Sequence, residues 1–428
     1  MTEVIEPPLP TTAPSPVIAV RRVDGPPVVA VRVWISGGAR RETAIGQALI
    51  AGRLLAEGTA RSDFRQIAEQ VESRGFSLSS FGSYEIHGLA LDGLAADWEW
   101  ALEQAADVLL EAAFPADRGE WLARQAAAEL DSLGDQPQVR TAWGFAEQLY
   151  TPNRRRLPVQ GGVEELAALT VGDCRSFHRA ALAEGPLIVT VTGAIDEGQV
   201  HRRLETLFSS AVLSEVIGPS GAEGDVLEDS AAPVGLPERR RQVYFESGSG
   251  DQAHLLLGHL TVARDHPDFD ALDLLSVILG SGAGLTGRIP DRIREQEGLA
   301  YTTSAHMASG AGLDPGRLVA YVGTSTATVA QAERGVREEL ARVIDDGIRD
   351  DELESARSYL LGRLPFGRET ARQWADLLAM ARHWGLPFDR PGWREENLRR
   401  IDRPAVEEAA RRHLRSDDLR VTVGLPAT

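Results

Sequence analysis

Two residues of chemically useful type lie seven positions apart in the second half of the chain, Arg294 and Tyr301. A tyrosine hydroxyl can donate a hydrogen bond to a developing oxyanion, and a guanidinium can hold a carboxylate or peptide carbonyls. The local pattern predicts that Arg294 lies on a short helix and that Tyr301 lies where the next strand begins. The alternative is an ordinary helix–loop–strand junction in which the arginine pairs with a neighbouring glutamate.

Glycines surround this pair in the stretch LGSGAGLTGRIPDRIREQEGLAYTTSA, residues 279–305. Glycine allows tight turns and a close approach of the backbone to other groups. The stretch lacks the G-x-x-x-x-G-K-[ST] pattern of a phosphate-binding loop, and the whole chain contains no lysine. Nucleotide binding is therefore not predicted.

The composition favours a water-soluble protein of two domains. A chain of 428 residues exceeds the usual size of one hydrophobic core. Its formal net charge of −18 opposes binding to nucleic acid, which requires a clustered basic surface. No apolar run reaches the ~20 residues of a membrane span, and residues 1–20 lack the features of a signal peptide. Together with a single cysteine, these features predict a cytoplasmic protein that binds neither nucleic acid nor membrane.

Hydrophobic periodicity divides the chain into two similar segments of alternating strands and helices. An internal match indicates a duplication: LAALTVGDCRSFHRAALAEGPLIVTVTG at 166–193 resembles LRRIDRPAVEEAARRHLRSDDLRVTVG at 398–424. The predicted fold is α+β, with two homologous α/β-sandwich halves joined by a linker. No element is assigned between residues 365 and 397. The predicted parts are a disordered tail at 1–20, a first domain at 21–209, a linker at 210–239 and a second domain at 240–428.

The stretch 279–305 resembles the second-half signature of the pitrilysin/insulinase-like (M16) zinc peptidases, and the two halves match the architecture of that family. The resemblance implies the M16/LuxS-like metallohydrolase fold. It also implies that Arg294 and Tyr301 help to hold and polarise a peptide near a metal. The glycine-rich part is similar to the substrate-gripping loop of the non-catalytic subunit of mitochondrial processing peptidase. That similarity implies substrate contacts for Gly282, Gly284 and Gly287.

The first half lacks the zinc motif that this resemblance leads one to expect. Active members carry His-x-x-Glu-His on a helix, where the histidines bind zinc and the glutamate works on the bound water. Here the three corresponding positions are Leu49, Gly52 and Arg53. An alkyl chain, a missing side chain and a cation can do none of this chemistry. Glu129, at the spacing of the third zinc ligand of the family, is then a relic or a solvated helix residue, and no metal is expected in this chain.

Other catalytic arrangements are not favoured. His254, His259 and His266 are the closest histidine cluster, but the first two would point to opposite faces of a strand. Cys174 and His178 lie four positions apart on a predicted helix, where packing is a simpler explanation than a nucleophile pair. No G-x-S-x-G serine elbow is present.

These features together resemble the zinc-free subunit of a two-subunit bacterial M16 peptidase. The resemblance implies a partner that carries His-x-x-Glu-His and the zinc, to which Arg294 and Tyr301 are supplied in trans. The substrates would be unfolded peptides, with removal of leader peptides as a narrower hypothesis. Two alternatives stay open: a catalytically inert scaffold, and a stand-alone peptide-binding homologue.

Overall fold

The structure of the protein is a computed structural model that describes residues 15–217, 241–245, 252–282, 286–387 and 392–426. The strands are β1 (Val17–Arg22), β2 (Val28–Ser36), β3 (Ser77–Gly82), β4 (Ile86–Leu94), β5 (Leu187–Gly193), β6 (Arg241–Phe245), β7 (Gln252–Leu260), β8 (Ala300–Ser309), β9 (Arg317–Ser325) and β10 (Arg420–Leu425).

The α-helices are α1 (Gln47–Leu54), α2 (Phe64–Glu72), α3 (Trp98–Leu110), α4 (Ala116–Gly134), α5 (Pro137–Tyr150), α6 (Val163–Ala168), α7 (Val171–Glu184), α8 (Glu197–Leu207), α9 (Ser210–Ile217), α10 (Phe269–Ser276), α11 (Arg288–Pro290), α12 (Val329–Asp345), α13 (Asp350–Arg363), α14 (Ala371–His383), α15 (Trp393–Arg400) and α16 (Arg403–His413). Two π-helical segments, Val277–Ser281 and Asp291–Gln296, continue α10 and α11. None of the described helices has both the length and the apolar character needed to cross a bilayer.

The strands form two five-stranded sheets of matching topology. The first has the order β1-β5-β2-β4-β3 and the second has the order β6-β10-β7-β9-β8. In each sheet the first two strands of that order are parallel, and the remaining neighbours are antiparallel. This repeat confirms the predicted α+β fold of two homologous halves.

The first sheet is the centre of a compact unit that comprises residues 15–125, 164–217 and 369–383 of the described chain. Along β2 the odd-numbered residues 29–35 and the even-numbered residues 30–36 point to opposite faces, and both sets are buried. The even-numbered set includes Arg32 and Ser36, so one buried face of the strand carries polar groups. The helix that covers this face is α14.

The sequence assigned no element to α14, which the structure shows to be a full helix. Its buried positions are Ala371, Ala375 and Ala379, one helical turn apart, and such small side chains give only a weak hydrophobic pattern. The hydroxyl of Thr190 on β5 donates a hydrogen bond of 3.0 Å to the Ala375 carbonyl. The Arg32 guanidinium donates a 2.5 Å hydrogen bond to the Asp376 carboxylate. Tertiary contacts therefore hold a helix that periodicity does not reveal.

The second sheet is the centre of a unit that comprises residues 126–163, 241–245, 252–282, 286–368, 384–387 and 392–426. Here α5 covers one face, where Phe145, Leu149 and Tyr150 pack on Leu256. The compact units thus differ from the contiguous domains expected from the sequence. Residues 126–163 belong with the second sheet, and residues 369–383 belong with the first.

Two further segments correct the sequence-based predictions. Residues 17–20, predicted to lie in the disordered tail, are part of β1, which pairs in parallel with β5. Only Ala19 of this edge strand is buried, so its sequence shows little alternation. Residues 210–217, predicted to begin the linker, form α9, whose Leu213 is buried. The rest of the predicted linker lies outside the described residues.

Candidate functional site

Arg294 and Tyr301 lie in contact in the second unit. The Arg294 Cζ atom is 4.9 Å from the centroid of the Tyr301 ring, within the ~6 Å range of cation–π interactions. The Arg294 Nε atom also lies 3.3 Å from the Glu295 carboxylate. Arg294 lies on a helical segment and Tyr301 lies at the start of a strand, as the local pattern predicts, and the glutamate pairing of the alternative is also present.

A β-bulge turns Tyr301 outward. Ala300 pairs with Thr324 and Thr302 pairs with Gly323, so Tyr301 is the additional residue of β8 at this point. Bulges re-aim side chains in this way and often lie beside functional sites. Tyr301 is 81% exposed, and its hydroxyl makes no hydrogen bond within the part of the chain that the structure describes. The hydroxyl is thus free to meet another molecule.

The π-helical segment Asp291–Gln296 holds Arg294 in place through its neighbours. Ile293 is fully buried and packs so closely on Gly335 of α12 that a Cβ atom there would lie 2.6 Å from the Ile293 Cδ1 atom. Arg292 donates hydrogen bonds to Glu297 and to two glutamates of α12, and its hydrogen bond lowers the pKa of Glu297. Arg294, on the same segment, keeps a quarter of its side chain exposed.

The glycines next to the pair have different structural roles. Gly287 has a φ of 128°, and a Cβ atom there would lie 2.7 Å from the Cα atom of Gly280. The loop is therefore closed by a backbone contact between two glycines, which requires glycine at position 287 whether or not a substrate binds. At Gly282 the nearest atoms to an added Cβ lie 3.7 Å away. Gly284 lies outside the described residues. Substrate contact by these three glycines stays a prediction.

The helix α1 carries the three positions of the expected zinc motif and offers no place for a metal. Leu49 is 7% exposed and Gly52 is buried among backbone atoms. A Cβ atom on Gly52 would lie 2.5 Å from the Gly82 nitrogen of β3 and still closer to the Phe81 carbonyl. A longer side chain therefore cannot be accommodated at the position of the general-base glutamate. The residues do not fit zinc, and no catalytic step is assigned to a metal here.

The histidine cluster considered from the sequence is not assembled. On β7, His254 Nδ1 lies 2.9 Å from the Tyr321 hydroxyl, whereas His259 Nε2 accepts a hydrogen bond of 3.0 Å from the Arg415 backbone. Burial lowers the pKa of His259 to about 4, so this side chain is neutral near pH 7. His266 lies instead beside the end of α16.

Cys174 and His178 do not form a nucleophile pair. Burial raises the pKa of the Cys174 thiol to about 12, so a thiolate is not available near neutral pH. His178 Nε2 lies 2.9 Å from the Leu109 carbonyl and His178 Nδ1 lies 3.3 Å from His87 Nε2. Burial lowers the pKa of His178 to about 4 and also lowers the pKa of His87. The packing explanation of this pair is the one that the geometry supports.

A serine, a histidine and a glutamate form a hydrogen-bonded chain that the sequence analysis missed. Ser36 Oγ lies 3.1 Å from His383 Nδ1, and His383 Nε2 lies 3.0 Å from the Glu85 carboxylate. The order matches that of a nucleophile, base and orienting acid. Ser36 and His383 are only 8% and 6% exposed, however, which leaves little access for a substrate. These hydrogen bonds connect the end of α14 to β2. The residues of α14 and β2 are far apart in the sequence, so no local sequence pattern indicates the arrangement.

Family models match most of the described chain. Residues 17–148 match the insulinase (peptidase family M16) model, and residues 168–360 match the model described as the peptidase M16 inactive domain. A Mycobacterium leprae protein named an uncharacterized zinc protease is 27% identical over 382 residues, which cover 88% of this chain and 82% of that protein. A Helicobacter pylori protein named a non-peptidase homolog is 21% identical over 384 residues, 88% of this chain and 83% of that protein.

Solved structures share the fold at low sequence identity. The M16 inactive domain from Pseudomonas fluorescens superposes with a TM-score of 0.82 at 21% identity and covers 97% of both chains. A protease from Helicobacter pylori gives a TM-score of 0.81 at 16% identity, over 97% of this chain and 98% of that one. The two family models, which together match residues along both halves of the chain, establish that it belongs to the M16 peptidase family.

Proposed function

We propose that this chain is the non-zinc-binding subunit of a heterodimeric M16 metallopeptidase. Its Arg294 and Tyr301 would be supplied in trans to the zinc site of a partner that carries His-x-x-Glu-His. The observation that carries this proposal is the combination of two features. The arginine–tyrosine pair is in contact and partly exposed, whereas the helix α1 of the same chain is packed in a way that excludes the zinc chemistry.

The chemistry of the pair suits peptide hydrolysis. A free tyrosine hydroxyl can donate a hydrogen bond to the oxyanion of a tetrahedral intermediate, and a partly exposed guanidinium can hold a peptide carbonyl or carboxylate. Removal of one such donor typically lowers the rate by about 10²–10³-fold. In the proposed complex the partner supplies zinc and the activated water, while this chain supplies the two donors.

The substrate class follows from the strand that carries Tyr301. β8 is one of the two edge strands of the second sheet, and an extended peptide can pair with backbone groups that such an edge leaves unpaired. Pairing of this kind recognises unfolded peptides with little dependence on sequence. Gly282, Gly284 and Gly287 would contact the same peptide. A cytoplasmic role in the removal of leader peptides is the narrower form of this proposal.

The experiment is a complementation assay with the His-x-x-Glu-His homologue encoded nearest to this chain. Each protein is assayed alone and in an equimolar mixture with an unfolded, fluorogenic peptide. The expected result is strong cleavage only by the mixture, and loss of that cleavage when the partner's motif glutamate is replaced by glutamine. Cleavage by this chain alone at the rate of the mixture would contradict the proposal.

A catalytically inert scaffold is the second candidate, because a relative from Helicobacter pylori is named a non-peptidase homolog. A scaffold would stabilise the partner without contributing donors. A stand-alone peptide-binding homologue would instead bind peptide without any partner. Gel filtration of the chain alone and mixed with the homologue distinguishes a stand-alone peptide-binding homologue from an obligate heterodimer. The Arg294 and Tyr301 variants distinguish a scaffold from a subunit that supplies donors.

A further inference from the structure

Two histidines and an aspartate from distant parts of the sequence meet at one point of the second unit. His266 and Asp268 precede α10, and His413 is the last residue of α16. One ligand atom from each of the three residues lies within 4.8 Å of the other two. The Asp268 Oδ2 atom is 2.7 Å from His413 Nε2 and 3.9 Å from His266 Nδ1.

We propose that His266, Asp268 and His413 bind a divalent transition-metal ion of the zinc class. The bound ion would tie the start of α10 to the end of α16. This proposal departs from the expectation that the chain holds no metal, and it is independent of the peptidase proposal, because these residues are not the ones of the degenerate motif on α1.

The donor set and the spacing both suit such an ion. Two imidazoles and one carboxylate are ligands that zinc accepts, with bonds of about 2.0–2.2 Å. In a tetrahedron of that size the donor atoms are roughly 3.3 Å apart. The two distances from Asp268 Oδ2, 2.7 and 3.9 Å, lie on either side of that value. The third pair of donor atoms, one from each histidine, lies within 4.8 Å, so side-chain rotation can bring all three atoms to one ion.

The orientation of Asp268 supports a role other than helix capping. Asp268 occupies the N-cap position of α10, where an aspartate usually accepts a hydrogen bond from the first turn of its own helix. It makes no such bond here and faces His413 instead. The side chains of Asp268 and His413 are only 13% and 18% exposed, whereas His266 is 37% exposed. The site is thus mostly enclosed and open on the His266 side, where water can complete the coordination.

Two contacts compete with the metal. The Arg412 guanidinium lies 3.0 Å from Asp268 Oδ2, and the Asp268 backbone N–H donates a 3.1 Å hydrogen bond to His266 Nδ1. Arg412 is half exposed and also lies 3.9 Å from Glu408, so it keeps a partner when it leaves the aspartate. Its guanidinium therefore keeps solvent and a second carboxylate when it releases Asp268. We therefore expect the metal to displace Arg412.

The test is titration of the chelator-treated full-length protein with zinc chloride, followed by calorimetry and by thermal unfolding. The expected result is one saturable site whose occupation raises the unfolding temperature. His413→Gln and His266→Gln should each weaken zinc binding by more than about tenfold. Even the loss of a residue that only hydrogen-bonds to a metal ligand lowers metal affinity by about tenfold or more. Arg412→Ala should bind zinc more tightly than the wild type, since it removes the competing cation.

His201→Gln is the matched control, because His201 is an exposed histidine with a carboxylate, Glu205, 3.4 Å away. Its zinc affinity should equal that of the wild type. Absence of saturable binding in the wild type would overturn the proposal, and so would equal affinity of wild type, His413→Gln and His266→Gln. Weaker binding by Arg412→Ala than by the wild type would also count against it, because removal of a cation that competes for Asp268 should strengthen metal binding at this site. Circular dichroism of each variant establishes that it is folded before titration.

Discussion

A Cβ atom on Gly52 would lie 2.5 Å from the backbone nitrogen of Gly82, so α1 and β3 touch through two glycines. A Cβ on Gly82 would in turn lie 2.7 Å from the Cα atom of Leu49. Distances below 3 Å to backbone atoms cannot be relieved by a rotamer change. The loss of the zinc motif is therefore more than the loss of three side chains, because the surrounding backbone has closed on the position that a glutamate would need.

Restoration of the motif by Leu49→His, Gly52→Glu and Arg53→His should consequently yield an unstable protein rather than a zinc peptidase. Glycine to alanine in a helix interior normally stabilises by about 1 kcal/mol. At Gly52 we expect the opposite sign, a loss of at least about 2 kcal/mol, because the added atom overlaps the backbone of β3. Urea unfolding of Gly52→Ala measures this effect.

Gly362→Ala on α13 is the control, since an added Cβ atom there has no neighbour within 4 Å. That variant should be as stable as the wild type or slightly more stable. Equal stability of the two alanine variants would show that the contact between α1 and β3 is looser than described.

Replacement of Arg294 by alanine or of Tyr301 by phenylalanine should lower the kcat of the assembled peptidase by at least about tenfold. Tyr301→Phe removes only a hydroxyl, and Arg294→Ala removes a partly exposed side chain outside the buried core, so assembly with the partner should persist. Steady-state kinetics and gel filtration of the mixture measure the two effects.

A second arginine–tyrosine pair provides the control for these variants. The Arg363 Cζ atom lies 5.7 Å from the Tyr359 ring centroid on α13. Tyr359→Phe and Arg363→Ala should leave kcat unchanged. Normal turnover by Arg294→Ala and Tyr301→Phe in an intact complex would favour the scaffold.

Ala375→Leu should destabilise the protein by about 1–3 kcal/mol, because Ala375 is fully buried between α14 and the first sheet. Leu377 on the same helix is 38% exposed, and Leu377→Ala should cost no more than about 1 kcal/mol. Urea unfolding monitored by fluorescence compares the two. If both variants had the same stability, α14 would not be packed on the sheet as described.

The local parts of the site could be predicted from the sequence, and the parts that depend on tertiary contacts could not. Glycines, a short helical pattern and a β-rich run locate Arg294 and Tyr301 on their elements. The bulge that exposes Tyr301 depends on the register with β9, which no local pattern encodes. Likewise, the contact of Gly52 with Gly82 joins residues 30 positions apart. The hydrogen bond between Ser36 and His383 spans 347 positions, so periodicity gives no sign of it.

Stability should fall as the pH decreases from about 6.5 towards 4, in part because His178 is buried in its neutral form. Its pKa is lowered to about 4 by burial, whereas the unfolded chain titrates near 6.5. His178 Nε2 donates to the Leu109 carbonyl, so Nδ1 accepts from His87 Nε2 and has no room for a proton. Between the two pKa values the unfolded chain therefore binds one more proton at this residue. The free energy of unfolding therefore falls by up to about 1.4 kcal/mol for each unit by which the pH decreases.

The measurement is the unfolding free energy in urea at several pH values between 7 and 4. Other buried groups titrate too, so the informative quantity is the difference between the wild type and His178→Gln. The slope of the unfolding free energy against pH should be shallower in His178→Gln, by an amount equivalent to the uptake of up to one proton. His201→Gln, which changes an exposed histidine, should keep the slope of the wild type. An unchanged slope in His178→Gln would mean that His178 is protonated to the same extent in the folded and unfolded chains. That result would contradict its enclosure between Leu109 and His87.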